Sequence, residues 1–189
     1  MAVRYSPGMS PRQSLPLLWL LSDARNDDRL EEALAALPAA SGFVFRHYHL
    51  PESARRQRFD RLRRAGGGDI VFLLSASLDK AREWGAEGAY GTPQRLGARN
   101  GLLSLATAHN GEEIAAAERG GADGVFLSPV FETRSHPRAR PLGIHGFHVL
   151  AQQARIPVIA LGGMTKARAQ DLHWPRWGAI DGLASPQAA

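Results

Sequence analysis

Residues 110–131, NGEEIAAAERGGADGVFLSPVF, contain a helix, a strand and a loop in succession. Asn110, with Glu113 three residues later, forms a capping-box pattern that begins a helix, and the double glycine at 120–121 ends it. The run 124–127 is apolar throughout, which is typical of a strand in a parallel sheet covered by helices. This stretch therefore predicts the repeating unit of an α/β protein.

The same alternation of short apolar runs and helical patterns extends along the whole chain, and it predicts eight strands. The predicted strands are residues 17–21, 42–48, 69–74, 88–91, 102–107, 124–127, 157–161 and 180–184. The predicted helices are residues 26–38, 52–68, 77–85, 110–122, 144–155 and 165–174, whereas 93–100 is too short and too broken by glycine. Eight such units predict a closed (β/α)8 TIM barrel with its eighth helix missing or truncated, and an open doubly wound sheet is the alternative.

Length and composition indicate a single domain. The chain has 189 residues, enough for one sizeable core, and we expect residues 1–14 to be a flexible tail and 15–189 the barrel domain. It contains no cysteine, which excludes disulfides and thiolate metal sites. No apolar run approaches the roughly 20 residues of a membrane span, and the start lacks a signal-peptide pattern. We expect a soluble, cytoplasmic protein with no membrane partner.

The net charge of +5 is carried almost entirely by arginine, since Lys80 and Lys166 are the only lysines. Arginine favours bidentate contact with phosphate or carboxylate, so this charge suits either a phosphorylated small molecule or nucleic acid. In the arginine-rich helix at 52–68, Phe59 and Leu62 fall at helical spacing, and few aromatic residues are available to stack on bases. We interpret these arginines as a solvated helix face rather than as an RNA-binding surface.

Residues at the carboxyl ends of the strands are the candidates for chemistry, because both architectures place function there. Thr107 and His109 follow the fifth strand. A histidine there can exchange protons near neutral pH, although it can equally cap a helix or pack. Gly162 and Gly163 follow the seventh strand, and with a helix capped by Thr165 they predict an anion-binding loop.

The end of the second strand and the loop after the sixth are expected to face the same mouth. Alternation along the strand places Arg46 and Tyr48 on one side. An arginine in an apolar strand needs a partner, and either a ligand anion or Asp23 would serve. The polar residues of the sixth loop are expected to contact the same anionic ligand; they are Thr133, Arg134, Ser135, His136, Arg138 and Arg140.

Two longer segments resemble the thiamine-phosphate synthase/TenI family of (β/α)8 barrels. They are HNGEEIAAAERGGADGVFLSPVFETRSHP (109–137) and PLGIHGFHVLAQQARIPVIALGGMT (141–165). With Thr107, they contain a T-x-H turn, S-P-V-F-x-T, P-L-G and P-V-I-A-L-G-G-M-T in the family's order. In this family the synthase joins a hydroxymethylpyrimidine diphosphate to a thiazole phosphate, with magnesium, and releases pyrophosphate. The TenI branch includes a thiazole tautomerase, which moves a proton.

The thiazole-phosphate half of the family's site is matched well. The resemblance implies that Gly162 and Gly163 bind the thiazole phosphate, with Ala184 beside them at the end of the last strand. His109 matches the histidine that the tautomerase branch is thought to use as its acid-base group. The resemblance therefore implies a phosphate site and a proton-transfer group in one mouth.

The substrate-binding loops are matched in part. Thr133 and Ser135 match the hydroxyl residues of the family's T-x-T-K loop, with His136 in place of the lysine. Arg46 matches the arginine of the motif Q-x-R-x-K, while Tyr48 replaces its lysine. We expect Arg46 to hold a substrate carboxylate or phosphate, and Thr133, Ser135 and His136 to line the opposite wall.

The metal half departs from the family pattern. The synthase's N-D pair after strand three corresponds to Ser75 and Ala76, and its G-V-H-L-G-Q-x-D motif corresponds to GAYGTPQRL (88–96). No carboxylate stands at the metal position, and carboxylate oxygens are what magnesium prefers. We therefore predict no metal site and no cofactor, with magnesium required only if the chain is a synthase.

The leading hypothesis is a thiamine-biosynthesis enzyme that binds a thiazole phosphate and tautomerises it through His109. The alternative is a divergent thiamine-phosphate synthase that also binds the pyrimidine diphosphate. A second alternative is a non-catalytic barrel that binds a phosphorylated ligand. We expect small-molecule partners, no nucleic acid, and a possible homodimer through the flank that the missing helix leaves bare.

Overall fold

Eight parallel strands close into a barrel in the structure, a computed structural model that describes residues 15–135 and 139–183. Each strand pairs with the next along the chain, and the first pairs with the eighth. The strands are β1 Leu18–Leu21, β2 Gly42–Phe45, β3 Val71–Leu74, β4 Gly88–Gly91, β5 Leu103–Ala108, β6 Gly124–Leu127, β7 Val158–Ala160 and β8 Trp177–Ala179. The predicted TIM barrel is confirmed, and the open sheet is wrong.

Helices connect the strands around the outside of the barrel. They are a 3-10 helix Ala24–Arg29, α1 Leu30–Ala36, α2 Glu52–Gly66, α3 Leu78–Trp84, α4 Pro93–Leu96, α5 Gly111–Arg119, α6 Gly143–Gln153 and α7 Lys166–Leu172. The predicted cap of α5 is confirmed, because the Asn110 side chain accepts a hydrogen bond of 2.9 Å from the N–H of Glu113. No helix follows β8 up to residue 183, where the description stops.

In the described part of the chain, no helix is both long and apolar enough to cross a membrane.

The second strand is shorter than the sequence predicts. It ends at Phe45 rather than at residue 48, because His47 adopts a positive φ of 36° and leaves the extended conformation. This turn directs the His47 side chain into a buried hydrogen-bonded position. The chain thus leaves the barrel wall just before Arg46.

The eighth strand is misplaced in the sequence prediction. Trp177–Ala179 pairs with Leu18–Leu20 of β1, whereas residues 180–184 lie beyond the strand, and Ala184 lies outside the described residues. The strand was misplaced because it has only three residues, with Gly178 at its centre, and a search for apolar runs does not detect so short a segment. A Cβ at Gly178 would lie 3.0 Å from the Leu21 side chain and 3.1 Å from that of Trp19, so glycine leaves room for the close approach of the two strands.

The hydrophobic core has two layers, separated by the barrel wall. Alternate strand residues point inward, where Phe126 packs edge-on against Trp19 and Tyr90 with ring centroids 5.6 and 5.1 Å apart. The intervening residues of the same strands face the helices. The inward layer includes Trp19, Leu21, Val44, Leu73, Tyr90, Leu105, Phe126 and Ile159. Because side chains fill the barrel, a ligand can bind only at its mouth.

Candidate active site

A cavity of about 1010 Å³ opens at the carboxyl ends of the strands, where loops after β2, β4, β5, β6, β7 and β8 meet. Tyr90, Thr107 and Leu161 belong to its lining at the top of the barrel interior. His136 lies outside the described residues. The cavity brings together the other predicted site residues that the structure describes: Arg46, Tyr48, Thr107, His109, Thr133, Ser135, Gly162 and Gly163.

The cavity carries a positive charge. Five arginines and two carboxylates line it among the described residues; they are Arg46, Arg95, Arg134, Arg140, Arg168, Glu132 and Asp181. A cleft in which one sign of charge dominates concentrates ligands of the opposite sign. The arrangement is therefore suited to anionic ligands.

Gly162 and Gly163, which we call the glycine loop, lie directly against the loop after β6. A Cβ on Gly162 would come within 2.6 Å of the Cα of Pro129, and one on Gly163 within 2.4 Å of the Glu132 carbonyl oxygen. Both glycines have positive φ, 93° and 65°. No other residue fits either position without displacing the neighbouring loop.

The hydrogen bonding of the glycine loop leaves its N–H groups available. The carbonyl oxygen of Gly162 accepts from the N–H of Phe131 at 3.1 Å, and that of Gly163 accepts from Nη1 of Arg168 at 2.6 Å. Within the described residues, neither glycine N–H donates to a protein acceptor. Two N–H groups on the lining of a positive cavity are suited to bind an anion.

His109 is hydrogen-bonded through one ring nitrogen, and the part of the chain that the structure describes offers no partner to the other. Its Nδ1 lies 2.7 Å from the carbonyl oxygen of Ser128, which can only accept, so Nδ1 carries the proton. Its backbone N–H donates to Glu113 at 2.8 Å, which fixes the residue at the start of α5. The neutral ring therefore has an unprotonated Nε2, and His109 lines the cavity.

Arg46 has the protein partner that the sequence left open. Its Nη2 lies 3.6 Å from Oδ2 of Asp23. Burial alone would raise the pKa of Asp23, but hydrogen bonds from Arg25 and the charges of Arg25 and Arg46 hold it below the usual value. Asp23, one of the two partners that the sequence left open, is thus close to Arg46, and Arg46 still lines the cavity, where further N–H donors remain for a ligand.

A buried chain of hydrogen bonds fixes the backbone of Arg46. Its N–H donates to Oγ of Ser22 at 2.7 Å, the Ser22 hydroxyl donates to Nδ1 of His47 at 2.8 Å, and His47 Nε2–H donates to Asp27 at 2.7 Å. Burial lowers the pKa of His47, which favours the neutral ring that this chain requires. Ser22 and His47 are almost fully buried, so the chain positions Arg46 rather than meeting a substrate.

The loop after β6 is linked to the start of the chain by a residue that the sequence did not indicate. Arg25, in the 3-10 helix, donates to Oγ of Ser135 at 2.9 Å and lies 3.8 Å from Asp181. Thr133 accepts a 3.4 Å hydrogen bond from the N–H of Ser135. Arg25 therefore connects the segments that follow β1, β6 and β8 at the rim of the cavity.

Arg95 and Tyr90 are further lining residues that the sequence analysis did not single out. Arg95 follows β4, and its guanidinium lies 5.4 Å from the ring centre of Tyr48. Burial raises the pKa of Tyr90 to about 12, so its hydroxyl stays protonated. The rule that function follows strand ends would have identified both.

We call Arg46, Tyr48 and Arg95 together the arginine wall.

Magnesium, which the resemblance implies for a synthase, does not fit the arginine wall. This ion needs oxygen ligands, usually carboxylates. The described residues contain no group of three His, Cys, Asp or Glu placed to hold a metal. The carboxylates that line the cavity, Glu132 and Asp181, follow β6 and β8 instead.

The known proteins to which this chain is similar share one description, that of a thiamine-phosphate synthase. A family model described as thiamine monophosphate synthase matches residues 18–176. A thiamine-phosphate synthase of Chloroflexus aurantiacus is 31% identical over 183 residues, covering 88% of this chain and 82% of that protein. A putative thiamine-phosphate synthase 2 of Aquifex aeolicus is 46% identical over 59 residues, which are 31% of this chain and 32% of that protein.

Among solved structures, a thiamine phosphate pyrophosphorylase from Pyrococcus furiosus superposes with a TM-score of 0.77. It is 23% identical, and the alignment covers 93% of this chain and 90% of that one. This likeness supports the fold. The region matched by the family model includes the arginine wall, His109 and the glycine loop.

Proposed function

Because the chain belongs to the thiamine monophosphate synthase family, we propose that it is a transferase that joins a pyrimidine diphosphate to a thiazole phosphate. The family match over residues 18–176 supports this proposal, and so do relatives that carry the synthase name. These relatives favour the coupling reaction over the tautomerisation that the sequence placed first.

One observation carries the proposal: two separate parts of the cavity lining have groups suited to bind an anion. The glycine loop follows β7, whereas the arginine wall follows β2 and β4, on either side of β3. In a barrel of eight strands in chain order, β3 lies across from β7. A volume of about 1010 Å³ lies at the upper end of the range for small-molecule sites. The site thus suits two anionic substrates that approach from opposite sides.

The coupling needs one bond to form and one to break. The thiazole nitrogen attacks the methylene carbon of the pyrimidine, and the bond from that carbon to the diphosphate oxygen breaks. The electron pair leaves with the diphosphate. No proton transfer is required, so the main task of the protein is to align the substrates and to stabilise the charge on the leaving group. The glycine loop and the arginines of the cavity suit these roles.

The direct test is to incubate the protein with both substrates, with and without magnesium, and to measure both products. We expect thiamine phosphate and pyrophosphate to appear in equal amounts. Omission of either substrate serves as the control. Absence of turnover under both metal conditions, with both substrates at high concentration, would remove the transferase proposal.

Thiazole tautomerisation is a second candidate, and the geometry of His109 favours it. The free Nε2 can take a proton from a bound thiazole and return it at another ring position, with no other reactant. The hydrogen bond from Nδ1 to Ser128 holds the ring in the tautomer that this step requires. The glycine loop would hold the phosphate of the same substrate.

For the tautomerase candidate we expect His109→Gln to lower the tautomerisation rate by about 100-fold or more, the usual contribution of an acid-base group. Glutamine can still donate to Ser128 but cannot exchange a proton. His145→Gln, an exposed histidine of α6 outside the cavity, is the matched control. A rate for His109→Gln within threefold of wild type would exclude His109 as the proton-transfer group.

A further inference from the structure

Three guanidinium groups surround the ring of Tyr48 at the cavity. Those of Arg46, Arg55 and Arg95 lie 5.7, 5.8 and 5.4 Å from its centre. Tyr48 is 52% exposed, so this cluster lies at the open side of the cavity rather than in the core. The cluster brings an unusual density of positive charge to the arginine wall.

Arg55, on α2, contacts the main chain beneath this cluster. Its Nε donates to the carbonyl oxygen of Arg46 at 2.9 Å, and its Nη2 donates to that of Ser75 at 3.1 Å. These bonds tie the end of β2 to the end of β3. Arg55 is not part of the cavity lining, and we treat it as a positioning residue.

The positive charge of the wall is incompletely neutralised by the protein. Arg46 pairs with Asp23 at 3.6 Å, but within the described ranges the guanidinium of Arg95 takes part in no hydrogen bond or ion pair. Burial lowers the pKa of Arg55, and the charge of Arg95 also lowers it, while interactions with Tyr48 and Glu52 act in the opposite direction. Mutual repulsion of this kind is relieved when an anion binds between the cations.

We propose that the arginine wall binds the diphosphate of the second substrate directly, with guanidinium charge in place of a divalent cation. This inference rests on the proposed transferase function and specifies how its leaving group is held. Guanidinium groups present paired donors that match phosphate oxygens, and they stay charged throughout the reaction. As the carbon-oxygen bond breaks, Arg46 and Arg95 stabilise the charge that develops on the departing diphosphate.

The test uses inorganic pyrophosphate, titrated calorimetrically into the protein with saturating thiazole phosphate, which occupies the glycine loop. We expect the dissociation constant to agree within threefold between EDTA and magnesium. We expect Arg95→Ala to weaken pyrophosphate binding in EDTA by about 10- to 100-fold, the loss of one charge-assisted pair. Thiazole-phosphate affinity of the same variant should not change. Arg119→Ala, an exposed arginine of α5 outside this cavity, is the matched control.

Each outcome separates the inference from the function on which it rests. The metal-free site is overturned if pyrophosphate binding requires magnesium or is unaffected by Arg95→Ala. In that case the transferase proposal still stands if the protein couples the two substrates. Metal-free binding that depends on Arg95, in a protein that couples nothing, would remove the transferase and leave the diphosphate site. No pyrophosphate binding under either condition overturns the inference.

Discussion

Replacing Gly163 with alanine is expected to weaken thiazole-phosphate binding by at least about 100-fold, the loss of two hydrogen bonds to a charged ligand. The new Cβ would lie 2.4 Å from the carbonyl oxygen of Glu132, and the residue has a φ of 65°. The loop must therefore move, and its N–H groups lose their place on the cavity lining. Isothermal titration with thiazole phosphate measures the effect.

Gly85→Ala is the matched control for backbone strain. Gly85 also has positive φ, 71°, but a Cβ there meets nothing within 4 Å, and it lies outside the cavity. Its variant should keep wild-type affinity and lose only about 1 kcal/mol of stability. Thermal melting of both variants shows whether Gly163→Ala is folded.

Arg168→Ala, which frees the Gly163 carbonyl oxygen, tests the loop without a clash. Wild-type affinity in both loop variants would exclude the glycine loop as the phosphate site.

The largest effect on stability is expected from Phe126→Ala. Phe126 is fully buried inside the barrel between Trp19 and Tyr90. Removal of its ring leaves a cavity in the inward-facing layer of the core. Such changes lower the free energy of unfolding by about 3–5 kcal/mol. For a chain of this size the melting temperature should fall by about 6–20 °C.

Two comparison variants make the Phe126 experiment specific. Phe126→Leu keeps most of the buried volume, so it should retain most of the stability. Val149→Ala, at a residue 42% exposed on α6, should change the free energy of unfolding by less than about 0.5 kcal/mol. If Phe126→Ala melted as the Val149 variant does, the packing described for the barrel interior would be wrong.

The fold was predictable because local and global signals agree over most of the chain. Strands such as Gly124–Leu127 are apolar on both faces, and caps such as Asn110 are visible in the sequence. The exceptions depend on tertiary contacts. The predicted helix 26–38 is divided into a 3-10 helix and α1, since the Asn26 side chain donates to the carbonyl oxygens of Leu21 and Ile180 and holds the first turn against the barrel.

The candidate site was predictable where its residues directly follow strands. His109, Gly162 and Gly163 fall into this class, and the structure places all three on one cavity. Arg25 also follows a strand, but the sequence does not reveal its contact with Ser135, which lies 110 positions later in the chain. Their roles in binding and catalysis stay predictions until the experiments above are done.

The glycine loop is tied to its neighbour through the main chain: Val130 donates to the carbonyl oxygen of Leu161 at 2.9 Å, and Phe131 donates to that of Gly162 at 3.1 Å. Its shape therefore depends little on the side chains of the opposite rim. This makes the barrel a favourable starting point for directed evolution. A library randomised at Arg46, Tyr48 and Arg95 would leave the proposed phosphate site in the glycine loop unchanged. Its variants could be selected for the use of different second substrates.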